Sequence, residues 1–100
     1  MKELLYLEIP TSDSGAVRDW LQTEFVPGDG EKLLTPQGVH VVNEGLSVEK
    51  HLATELSIFV WSVQRTTYLK VFRWGDKPFR REGLFLQRLT MAIRSRFPQD

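Results

Sequence analysis

Aromatic rings interleaved with cations are the residues of this chain whose chemistry is most readily stated. Over 66–74, Tyr68, Lys70, Phe72 and Trp74 alternate with Leu69, Val71 and Arg73. Side chains in an extended strand change face at every residue, so the first four share one side. With Arg65 and Arg73 close by, that side combines stacking platforms with positive charge. Single-stranded nucleic acid needs this combination, base–aromatic stacking being worth about 1–3 kcal/mol per base. Arg65, Tyr68, Lys70, Phe72, Arg73 and Trp74 are therefore the candidate set for RNA. Three observations oppose it. The ribonucleoprotein consensus Lys/Arg-Gly-Phe/Tyr-Gly/Ala-Phe-Val is missing, and the pI is about 6.7, where dedicated nucleic-acid-binding domains exceed about 9. Large rings are also what usually packs a sheet against its helices.

A second constellation lies near the C-terminus. Over 79–97, Phe85, Leu86, Leu89, Ala92, Ile93 and Phe97 recur at helical spacing and form an inward stripe. Arg80, Gln87, Arg88, Arg94 and Ser95 lie opposite. Leu84 and Met91 break the pattern, two apolar residues on one helical line among arginines. Methionine and arginine are enriched at the centres of protein interfaces. Arg80, Leu84, Arg88, Met91 and Arg94 therefore form the candidate protein-binding set. Arginine would make bidentate contacts to carboxylates, and Leu84 and Met91 would supply the apolar anchor. Single exposed apolar residues are normal on any soluble protein. Two in line beside arginines are more specific.

Other chemistry finds little support. The chain has no cysteine, which removes disulfides, thiolate metal ligands and thiol nucleophiles. His40 and His51 are the only histidines, and their separation does not place two ligands on one helix face. There is no Gly-x-Ser-x-Gly elbow. Pro27-Gly28-Asp29-Gly30 lacks the lysine and hydroxyl residue of a phosphate-cradling loop. Acidic residues are numerous, but no sequence context singles out a pair for acid–base work. The expectation is a chain without catalytic activity, cofactor or metal.

With 100 residues, 41% of them hydrophobic and 26% charged, the composition is that of one globular domain spanning 1–100. Its formal net charge of zero conceals a division. Residues 1–64 hold four basic against ten acidic side chains, and residues 65–100 hold nine against three. Such asymmetry marks either a basic binding surface or two halves that attract each other, within one fold or between copies. Glu3 and Glu8 interrupt the apolar run near the start, and no run approaches the roughly 20 apolar residues of a membrane span. A cytoplasmic location without membrane contact is expected.

The elements that must position these residues follow from periodicity. Residues 4–9 predict a strand with apolar side chains on both faces, Leu5, Leu7 and Ile9 against Leu4 and Tyr6, hence an interior strand. Thr11-Ser12-Asp13-Ser14 is a helix-start cluster, and Val17, Trp20, Leu21 and Phe25 form the stripe of a helix running to about residue 25. Pro27-Gly28-Asp29-Gly30 predicts a loop. Residues 32–35 and 39–42 predict a small hairpin around Pro36-Gln37-Gly38, while 46–54 fits either a helical turn or a loop. Residues 55–63 and 66–74 predict an antiparallel hairpin with Gln64-Arg65 at its turn, although tight hairpin turns favour glycine or asparagine. A helix follows over 79–97. The order β-α-β-β-β-β-α predicts an α+β domain, a mostly antiparallel sheet with two helices packed on one face. The function this implies is a non-enzymatic binding or regulatory module, contacting a protein with an acidic or amphipathic surface through the basic-apolar face of the last helix. RNA at the aromatic strand face, and a second copy of the chain, are the alternative partners.

Overall fold

The computed structural model describes residues 2–30, 39–43, 56–78 and 80–98. The strand expected over 32–35, its turn, the 46–54 segment and Phe79 lie outside the described residues. What is described is an α+β fold. Strand β1 (Lys2–Ile9) leads into α1 (Ser14–Trp20), which continues as a π-helical segment (Leu21–Gly30). Strands β2 (Val39–Asn43), β3 (Leu56–Val63) and β4 (Thr66–Arg73) follow, and α2 (Glu82–Arg96) closes the described chain.

The strands form one sheet in the order β1-β4-β3-β2. β4 pairs antiparallel with both β1 and β3, whereas β2 runs parallel to β3, with Val39 opposite Leu56 and Asn43 opposite Val60. The strand expected of Val39-His40-Val41-Val42 is present as β2, while the other arm of its expected hairpin, 32–35, lies outside the described residues. Parallel neighbours need a crossover of about a dozen residues, and the stretch between Asn43 and Leu56 has that length. Among the described strands β1 lies at an edge, not at the interior position its two apolar faces suggested. A register shift between Glu3 and Leu5 lets Leu4 escape strict alternation, and Tyr6 belongs to a surface rather than to the core.

One buried cluster holds these parts together. Leu7 and Ile9 of β1, Ile58 and Val60 of β3, and Leu69 and Val71 of β4 meet Val17, Leu21 and Phe25 from the first helical region and Phe85, Leu89 and Ile93 from α2. The strand register pairs Leu7 with Leu69 and Leu69 with Val60, so the sheet residues share a face. At their buried fractions each aliphatic side chain contributes about 1.5–3 kcal/mol of transfer free energy.

Local chemistry explains the element ends. Asp13 caps α1, its Oδ1 accepting from the Ala16 N–H at 3.0 Å, and its own N–H donates to the Thr11 hydroxyl at 3.1 Å. Pro27 and Gly28, expected in a loop, instead lie in the π-helical continuation. Burial of Phe25 in the core carries the coil past residues whose local preference is to end it. α2 starts at Glu82, not near residue 79. Arg73 pins the connection before it, donating from Nε to the Gly75 carbonyl at 2.9 Å and from Nη2 to the Asp76 carbonyl at 3.3 Å. The β3–β4 turn is tight, with Val63 opposite Thr66 and Gln64 at φ 55°. A positive φ at the first loop position is what a two-residue primed turn demands, and glycine meets it more readily than glutamine.

Candidate functional site

Two surfaces carry the residues singled out from sequence. The first is the outer side of α2. Phe85, Leu89 and Ile93 turn inward and are fully buried, which fixes the helix's rotation. Leu84 and Met91 are thereby left 42% and 61% exposed. Arg88 stands between them, also exposed, because residues three and four apart are neighbours on a helix surface. Arg80 is exposed just before the helix. Among the described residues neither Arg80 nor Arg88 enters an ion pair. Arg94 is different: it is half-buried, and its Nη1 donates to the Glu8 carbonyl at 2.8 Å. It tethers α2 to the edge strand. The free basic-apolar line is thus Arg80, Leu84, Arg88 and Met91.

The second surface is the sheet face turned away from the core cluster. Here the register brings Tyr6, Tyr68 and Trp61 side by side from β1, β4 and β3. Tyr68 lies nearly parallel to both neighbours, its ring centroid 6.2 Å from Tyr6 and 5.6 Å from Trp61. Phe59 meets Phe72 edge-on at 5.3 Å. Just beyond β4, the Trp74 indole N–H donates to the buried Ser57 hydroxyl at 2.6 Å. Tyr6, Phe59 and Trp61 were absent from the sequence-derived set. Alternation within 56–63 puts Phe59 and Trp61 on one side, but only strand pairing shows that this side is shared with Tyr68 and Phe72.

The charges of this surface are largely engaged. Lys70 forms an ion pair with Glu3 at 3.0 Å and lies 5.7 Å from the Tyr6 ring centroid. Arg73, expected beside the rings, is buried on the opposite side with 4% exposure, where its Nη1 meets the Glu82 carboxylate at 2.7 Å. Arg65 is exposed at the hairpin turn. The Tyr6 hydroxyl donates to Glu8 Oε1 at 2.9 Å. Lost hydration, then this hydrogen bond and the neighbouring negative charge, raise the Tyr6 phenol above its ordinary value. Rings that stack on one another offer less free face to a base, and two carboxylates share the surface with its lysine. This arrangement is poorly matched to a phosphate backbone.

Among the described residues no three histidine, aspartate or glutamate side chains gather where they could hold a metal ion. His51 lies outside the described residues, and His40 is placed only by its register opposite Ser57. No described helix is long and apolar enough to cross a membrane. No protein-family model matches the chain, and neither a curated protein nor a solved structure matches it.

Proposed function

We propose that this protein is a non-enzymatic cytoplasmic module that binds an acidic, amphipathic segment of another protein along the outer side of α2. The observation that carries the reading is Met91, 61% exposed on a helix whose inward stripe is already filled by Phe85, Leu89 and Ile93. An apolar side chain held in water beside Leu84 and between arginines gains its burial only when something covers it. The partner's carboxylates would meet Arg80 and Arg88, and its apolar residues Leu84 and Met91. The reading takes the domain as two layers, with both helical regions on one face of the sheet. Among the described residues the close polar groups serve the fold, Arg73 with Glu82, Lys70 with Glu3, and Arg94 with the Glu8 carbonyl, and the chain is accordingly assigned no reaction.

The test is an affinity capture from native lysate with and without nuclease, comparing the wild-type chain with Arg88→Glu/Met91→Glu. One stoichiometric protein, retained after nuclease and lost in the variant, is the expected result. Both side chains are exposed, so the variant should keep the wild-type thermal midpoint, and its loss of binding would not reflect unfolding. Capture that vanishes with nuclease would overturn the reading in favour of RNA at the aromatic face. An empty capture with a dimeric mass in solution would overturn it in favour of self-association.

A further inference from the structure

Away from both surfaces, a shallow, solvent-open cleft of about 310 Å³ lies between the π-helical segment and α2, lined by Trp20, Glu24, Phe25, Gly28 and Ala92. That is near the lower limit of small-molecule sites, about 300–1,000 Å³. Its walls are aromatic. Trp20 lies 5.7 Å from Phe25, tilted by 33°, and meets Phe97 at 5.9 Å nearly perpendicular. Phe25 is itself anchored edge-on against the fully buried Phe85 at 5.6 Å, so the ring cluster is built into the core. Trp20 remains half-exposed. Two small residues line the cleft, Ala92 on α2 and Gly28, where an added Cβ would meet nothing within 4 Å.

Glu24 brings a full charge to this apolar lining. It is exposed and forms no ion pair among the described residues. Indole and phenyl faces attract cations through their quadrupole, tryptophan most strongly. The Arg96 guanidinium lies 5.2 Å from the centroid of Phe97, a ring that packs on Trp20 outside the cleft's lining. An anion would be repelled by Glu24, and a neutral apolar guest would dehydrate the carboxylate without replacing its hydrogen bonds. A cation with an apolar shell satisfies both the rings and the charge.

We infer that this cleft binds a compact organic cation of the alkylammonium class, seated against Trp20 with its charge toward Glu24. None of the residues proposed for the protein interface lines it, so the two readings stand or fall separately.

The experiment titrates choline, and separately its uncharged carbon isostere dimethylbutanol, into the intact chain while following the Trp20 indole N–H by heteronuclear NMR. The site-specific signal excludes confusion with Trp61 and Trp74. Choline should shift it saturably at millimolar concentration, and the isostere should bind about fivefold more weakly, as expected for a partly exposed cation–π site. Glu24→Gln should erase most of that preference, and Gly28→Leu, which fills the cleft at a helical position, should abolish binding by both. Equal affinities in the wild type would overturn the inference, as would a preference unchanged by Glu24→Gln. Binding that survives Gly28→Leu, or no saturable shift, would overturn it equally.

Discussion

Replacing Arg73 by methionine tests how the β4–α2 connection is held. The substitution removes a guanidinium with 4% side-chain exposure that contacts Glu82 Oε1 at 2.7 Å and the carbonyls of Gly75 and Asp76 at 2.9 and 3.3 Å. Deleting one partner of a buried ion pair costs about 3–5 kcal/mol, because the surviving charge stays buried after losing this counter-ion. Glu82 has some relief: its side chain is 10% exposed, and in the first turn of α2 a carboxylate gains about 0.3–1 kcal/mol from the helix dipole. The expected loss is therefore about 2–4 kcal/mol, a large share of the roughly 5–15 kcal/mol that stabilises a domain. Arg73→Met/Glu82→Leu should recover much of it, since a buried pair exchanged for apolar residues is often neutral. Recovery should stop short of wild type, because the Gly75 and Asp76 carbonyls lose their donor, at about 0.5–1.5 kcal/mol each. Urea unfolding followed by tryptophan fluorescence reads all three values. A loss below about 0.5 kcal/mol for Arg73→Met would refute the reasoning, since that is the range of an exposed surface pair.

Gln64→Gly should stabilise the chain by about 0.5–1 kcal/mol, because relief of the left-handed conformation outweighs the entropy glycine adds to the unfolded state; destabilisation in the same urea assay would contradict the turn assignment. Phe85→Ala should cost about 3–5 kcal/mol while Leu84→Ala stays within about 0.5 kcal/mol, and comparable losses at both would mean that α2 is rotated differently. In a Tyr68→Phe background, absorbance titration should show Tyr6 ionising above the ordinary phenol value of 10.0. A raised value means the folded state holds the proton more tightly, so this contribution to stability is intact below that ordinary value and is lost as pH rises through the folded one. Glu8→Gln should lower the Tyr6 value, and an unchanged titration would remove the hydrogen bond as a cause.

Some of this was legible from residue types in order. The inward stripe of α2 emerged from spacing alone, and with it the exposure of Leu84 and Met91, because helical period and apolar placement are both local properties. The helix-start cluster Thr11-Ser12-Asp13-Ser14 and the Gln64-Arg65 turn position were likewise visible, while the choice of Asp13 as the cap came from the structure. Arg73 was not. Strand alternation already placed it opposite Lys70, but nothing in the local pattern showed that its side of the strand is sealed and that Glu82 waits there. The Trp20–Glu24–Phe25 cleft was equally hidden, because Pro27 and Gly28 argued for a loop where packing of Phe25 sustains a coil.

The sequence by itself therefore determined the cores of strands β1, β3 and β4 and of helices α1 and α2, and the inward side of α2, since these depend on backbone preference and periodicity over a few residues. Tertiary structure alone decided that β1 lies at an edge of the described strands, that β2 runs parallel to β3, and that Tyr6, Tyr68 and Trp61 form one row. It also decided that a cation expected on the surface is buried in an ion pair. These outcomes depend on which strand lies beside which, and pairing is settled by burial summed over residues far apart in the chain.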